Sequence, residues 1–133
     1  MSRDMLLRLL KSLDRANLIK GIKSEGSPVG NLTKPAMAYL NNSNLLYALN
    51  SGNDNFEGTV RETFFMNQLI KSHKIYSAKN GDFLVDEKYI FEIGESKNNY
   101  KQIANLEYTF IAADNIEHGV GNKIPLWIFG FLY

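Results

Sequence analysis

The sequence predicts an α/β (α+β) domain over residues 56–133, with a mixed sheet lying between helices, and three observations predict it. Residues 58–71 (GTVRETFFMNQLIK) carry apolar side chains at helical spacing. Short strand-like runs follow at 74–77 and twice within 81–94 (GDFLVDEKYIFEIG), where aromatic and β-branched residues cluster on either side of Asp86-Glu87-Lys88. A second helical pattern at 98–107 then leads into Tyr108-Thr109-Phe110-Ile111-Ala112-Ala113, an almost unbroken apolar run of the kind buried on both faces of a sheet. A helix that returns the chain to a parallel strand makes a right-handed crossover in nearly all proteins. The order from Gly58 onward is therefore αβββαβ.

The residues before it read as a smaller unit, 1–50. Leu6, Leu9, Leu10 and Leu13 make an apolar stripe on a helix over 2–13, with Arg3, Arg8 and Lys11 off the stripe. Residues 14–17 turn the chain, 18–23 form a short strand, and 25–31, with Gly26, Pro28 and Gly30, form a loop. Residues 35–40 return as the second strand of a hairpin. A helix followed by a Gly-rich hairpin with basic flanks is winged-helix-like, and it is equally the pattern of a plain helix-hairpin packing unit. Residues 41–49 predict a short helix capped by Asn42, Ser43 or Asn44. Residues 51–55 are the most loop-like stretch and the expected boundary. The closing stretch 124–133 is strongly apolar and fits helix and strand alike.

Two carboxylates stand where burial would be costly. At 100° per residue Glu62 falls at the centre of the arc of Phe65, Met66 and Leu69, while Arg61, Asn67, Gln68 and Lys71 point elsewhere. Period-two alternation puts Ile90, Glu92 and Gly94 on one face of their strand and Tyr89, Phe91 and Ile93 on the other. A charge within so apolar a strand needs a metal, a cation or hydrogen-bond donors beside it. Asp82, opening the neighbouring strand, is placed to approach Glu92.

Composition limits the chemistry. There are 133 residues, 44% hydrophobic and 12% aromatic, ordinary for a globular chain. The lack of cysteine removes disulfides, thiolate metal sites and a cysteine nucleophile, and it suits a cytoplasmic protein. No apolar run approaches the roughly 18 residues of a membrane span, so no membrane contact is expected. Residues 1–20 carry scattered charges and no small-residue cleavage site, so they do not read as a signal peptide. His73 and His118 lack metal-ligand spacing, and Ser, His and Asp show no triad signature. Net charge is +1, unevenly spread. Residues 1–40 hold seven Lys/Arg against three acids, and 41–133 hold eight against eleven. The basic front makes Arg8, Lys11, Lys20, Lys23 and Lys34 candidates for contact with a nucleic-acid backbone.

The αβββαβ order, an inward Glu on the first helix and an Asp ahead of a Glu-bearing strand together resemble the restriction-endonuclease-like fold. Its signature is an Asp at the start of one strand and Glu-x-Lys on the next; Asp82 matches the first and Glu92-Ile93-Gly94 the second. The wording goes further: KPAMAYLNNSNLLYAL, GTVRETFFMNQL, GDFLVDEKYIFEIG and GNKIPLWIFGFLY resemble the C-terminal region of a prokaryotic AAA-type ATPase family. In that family an ATPase core precedes a winged helix and a nuclease-like domain of unassigned role. The resemblance implies a Mg²⁺ site of Asp82 and Glu92 with Glu62 as an auxiliary carboxylate. Gly94 stands where that site needs its lysine, leaving Lys97, or Lys101, as the substitute cation. Residues 26–34 (GSPVGNLTK) lack the Gly-Lys-Ser/Thr ending of a phosphate-binding loop, so ATP binding is not expected, and the chain resembles a fragment or a short stand-alone relative. The expected function is a non-catalytic binding or regulatory module that docks nucleic acid, the ATPase core or a second copy. The alternative is a metal-dependent nuclease.

Overall fold

The computed structural model describes residues 1–28, 34–50, 52, 56–95 and 105–132. Among them the elements run α1 (Arg3–Arg15), β1 (Ile19–Ser24), β2 (Met37–Leu40), α2 (Ser43–Leu49), α3 (Glu57–Leu69), β3 (Ile75–Ser77), β4 (Phe83–Val85), β5 (Tyr89–Glu95), β6 (Thr109–Asp114), β7 (Lys123–Pro125) and a terminal 3-10 helix (Leu126–Phe131). The protein is a mixed α/β structure whose seven described strands form one sheet, ordered β2-β1-β3-β4-β5-β6-β7.

Local chemistry explains most of the boundaries. Ser2 caps α1 by accepting the Met5 N–H at 3.2 Å, with Asp4 in the first turn and Arg15 in the last, each favourable to the helix dipole. Asn17, at φ 56°, takes the left-handed conformation just beyond its end. Asn42 caps α2, its Oδ1 accepting the Asn44 N–H at 2.9 Å. No side chain caps α3, which begins after Phe56. Packing holds it instead, through buried Thr63, Phe65, Met66 and Leu69.

β3, β4 and β5 form an antiparallel meander, with Ile75 opposite Val85 and Phe83 opposite Phe91. β6 then pairs parallel to β5, Phe91 facing Phe110, and β7 parallel to β6. The β1–β2 hairpin is antiparallel and joins the same sheet through a parallel contact of β1 with β3, at Lys23–Tyr76 and Ser24–Ser77. The expected helix 98–107 falls largely outside the described residues, and 105–108 form the turn into β6.

Phe65 is the centre of the core. Its ring lies 5.4 Å from Phe83, 5.0 Å from Phe91 and 4.8 Å from Phe129, so one residue of α3 ties together β4, β5 and the terminal helix. Burying a side chain of this size stabilises by about 1.5–3 kcal/mol, and each ring pair adds about 0.5–1.5 kcal/mol. A second cluster of Ile111 and Ala113, with Ile90 and Ile116 packed against it, forms apart from the first. The apolar tail, open between helix and strand in sequence, is both in succession. Pro125 has no N–H with which to continue the ladder, and the three-residue period of the helix that follows buries Leu126 and Phe129. Among the described residues no helix is long and apolar enough to cross a membrane.

Candidate acidic site

The site is built around the entry to β4. Gly81 has φ +94°, a conformation that glycine adopts without steric cost. A Cβ there would stand 2.9 Å from Ile90 Cγ2 and 3.2 Å from the Phe91 carbonyl oxygen. The close approach lets Asp82 fold back on β5. Its backbone N–H donates to the Phe91 carbonyl at 2.9 Å, and its Oδ2 accepts the Ile93 N–H at 2.7 Å. Glu92 lies between those two β5 residues, its Oε2 3.5 Å from where the Gly81 Cβ would be. From the other side α3 supplies Glu62, whose Oε2 accepts the Tyr39 hydroxyl at 3.1 Å. Tyr39 comes from β2, with its ring 5.6 Å from Phe83.

All three carboxyls are half-buried, and all three hold their protons more tightly than free carboxylates do. Burial is the main cause in each case. Repulsion adds to it: the Asp82 charge acts on Glu62, and Asp82 and Glu62 both act on Glu92. Two hydrogen bonds oppose the shift, Tyr39 O–H on Glu62 and Ile93 N–H on Asp82. The Tyr39 phenol is itself pushed well up, first by burial and then by the Glu62 charge beside it.

The structure thus brings Glu62, Asp82 and Glu92 within electrostatic range of one another. Hard carboxylate oxygens that repel each other suit a divalent cation such as Mg²⁺, which is commonly held by one or two carboxylates and completes its shell with water. Among the described residues no group of three or more His, Asp or Glu side chains is placed to hold a metal ion. Gly94, opposite Ala113 in the parallel ladder, is buried and offers no side chain. Lys97 and Lys101 lie outside the described residues.

A neighbouring ion network was not foreseen. Arg61, expected to point away from the Phe65, Met66 and Leu69 arc, keeps only 13% of its side chain exposed. It reaches Asp114 at 3.0 Å, Glu95 at 3.1 Å and Glu57 at 3.3 Å. Glu95 and Asp114 face each other in the β5–β6 ladder, a like-charge pairing that destabilises unless a cation bridges it. Burial works against the Arg61 charge, but the Asp114 and Glu95 carboxylates more than offset it, and the guanidinium holds its proton all the more tightly. Only the Glu57–Arg61 spacing of four hinted at this in sequence.

The candidate basic residues lie on α1, on β1 and just ahead of β2. Arg8 and Lys11 are exposed on α1, and Lys34 is exposed ahead of β2. Lys20 donates to Asp14 at 3.0 Å, while Lys23 is half-buried on β1. His73 sits 2.7 Å from Asp86, whose other oxygen accepts the Lys74 N–H at 2.9 Å. These contacts, the His73 hydrogen bond foremost, hold the Asp86 carboxyl below its usual range. His118 is exposed. No family model matches the chain, and no curated protein or solved structure matches it either.

Proposed function

We propose that the chain is a non-catalytic binding module of restriction-endonuclease-like build, the C-terminal part of an AAA-type ATPase system, docking protein or nucleic acid. The build is supported by the antiparallel β3-β4-β5 meander followed by a parallel β6, with α3 packed against β5. Asp82 stands immediately before β4, Glu92 lies within β5, and Glu62 lies on the helix before them. The observation that carries the non-catalytic reading is the acid trio with buried Gly94 in the lysine's place. Asp82 and Glu92 would hold a divalent cation, but the group that helps orient the attacking water and offsets developing phosphate charge is missing, a loss that can cost several orders of magnitude in rate. Plasmid DNA incubated with the protein in Mg²⁺ or Mn²⁺ should remain intact. Cleavage that disappears in Asp82→Ala would overturn the reading.

That outcome would establish the second reading, favoured by the convergence of the acids themselves: a metal-dependent nuclease with Asp82 and Glu92 on the cation, Glu62 auxiliary and Lys97 supplying the ammonium. In the nucleic-acid version of the binding-module reading, duplex DNA held by the front half should dissociate steeply with added salt and bind less well to Lys20→Ala and Lys23→Ala.

A further inference from the structure

α1 carries a strongly apolar arc, yet none of its residues is buried. Met5, Leu6 and Leu9 are 61%, 37% and 45% exposed, with nothing described above them. On the adjoining side Leu7 and Leu10 line a groove whose opposite wall is Ile19 and Pro35, with Lys11 among its lining residues. The β1 backbone closes tightly on that wall, since a Cβ on Gly21 would meet Pro35 Cβ at 2.9 Å. The groove holds about 170 Å³. That is well under the ~300 Å³ at which small-molecule pockets begin, so it suits one side chain rather than a whole ligand.

Charge selects the occupant. α1 bears Arg3, Arg8, Lys11 and Arg15 against Asp4 and Asp14, and Asp14 is already engaged by Lys20. A nucleic-acid backbone would satisfy the cations but leave the exposed leucines facing water or phosphate. A segment with apolar anchors at helical spacing and carboxylates between them satisfies both sets. We infer that α1 and its groove against β1 dock an acidic, amphipathic segment of a partner protein, one apolar side chain seated between Leu7, Leu10 and Ile19 and its carboxylates on Arg8 and Lys11. The inference rests on the binding-module reading and names its partner class.

The test uses the whole chain and three fluorescent probes: a synthetic helical peptide with Leu and Phe anchors interleaved with Glu, the same peptide with Lys for Glu, and a short DNA duplex. Anisotropy should show the acidic peptide binding, the charge-reversed one binding at least about tenfold more weakly, and the duplex failing to displace the acidic peptide. Lys11→Glu and Leu9→Ser, both at exposed positions, should each weaken the acidic peptide about tenfold with an unchanged circular dichroism spectrum. Equal binding of both peptides, displacement by duplex, or no loss in Lys11→Glu would overturn the inference. So would protection of the face by self-association in sedimentation. Failure here with plasmid DNA still intact removes the partner assignment alone. DNA cleavage removes the non-catalytic reading and leaves this test unaffected.

Discussion

Tyr39 has two separable jobs, because its ring rests on Phe83 while its hydroxyl donates to Glu62. Tyr39→Phe keeps the first and removes the second. The bond favours ionised Glu62, so its loss should make the Glu62 carboxyl titrate at higher pH, read by ¹³C NMR of the side chain, with about 1 kcal/mol lost in stability. An unmoved titration would show that the hydroxyl does not reach Glu62. Thr63, one residue along, gives the opposite sign. Its Oγ1 is buried with no hydrogen-bond partner among the described residues. Thr63→Val should therefore stabilise by about 1 kcal/mol, seen as a higher urea midpoint at constant slope. Residue-scale chemistry was legible in part. Helical geometry pointed Glu62 inward from its own neighbours, but Tyr39, 23 residues away, reaches it only through the hairpin register.

α3 is the element on which the sheet's two halves converge. Tyr39 on β2 meets it at Glu62, and Asn67 Nδ2 donates to the Leu40 carbonyl at 2.9 Å. At its N-terminal end Arg61 grips the facing ends of β5 and β6. Arg61→Ala should cost about 1–3 kcal/mol, more than an exposed pair and less than a fully buried one, since it leaves Glu95 and Asp114 facing each other. Adding Asp114→Asn to Arg61→Ala should recover part of that loss, and Asp114→Asn alone should cost less than Arg61→Ala. Equal chemical-denaturation midpoints for the single and double variants would mean that the facing carboxylates are not what Arg61 holds. Element order and most boundaries could be read from period and punctuation, as for 81–94, where Asp86 and Glu87 both adopt positive φ at the tip. Arg61 could not be read in this way. Its partners are adjacent only once β5 and β6 pair in parallel, which is a tertiary fact absent from the local pattern of α3.

Over the whole molecule, the acid trio sets how stability responds to pH. Glu62, Asp82 and Glu92 all bind protons more tightly folded than unfolded. Such groups contribute stability that is complete below their unfolded values, about 4, and is lost as pH rises through the raised folded values. Asp86 acts in the opposite sense: its depressed carboxyl favours the fold above about pH 4, and that contribution fades in stronger acid. Thermal stability should therefore rise as pH falls through the raised folded values towards about 4, then turn over in stronger acid as Asp86 takes up its proton. Glu92→Gln should flatten the rise and raise the melting temperature at pH 8, where the native site carries its full repulsion. Mg²⁺ or Mn²⁺ should produce a similar gain at pH 8 in the unsubstituted protein, because an ion bound only by the folded state stabilises it in proportion to the logarithm of its occupancy. Protons and the cation compete for the same oxygens, so the metal-induced shift should shrink as pH drops towards about 4 and should be lost in Asp82→Asn. A shift that persists in full at about pH 4, or survives in Asp82→Asn, would place the ion elsewhere and leave the three carboxylates as a source of strain in the fold.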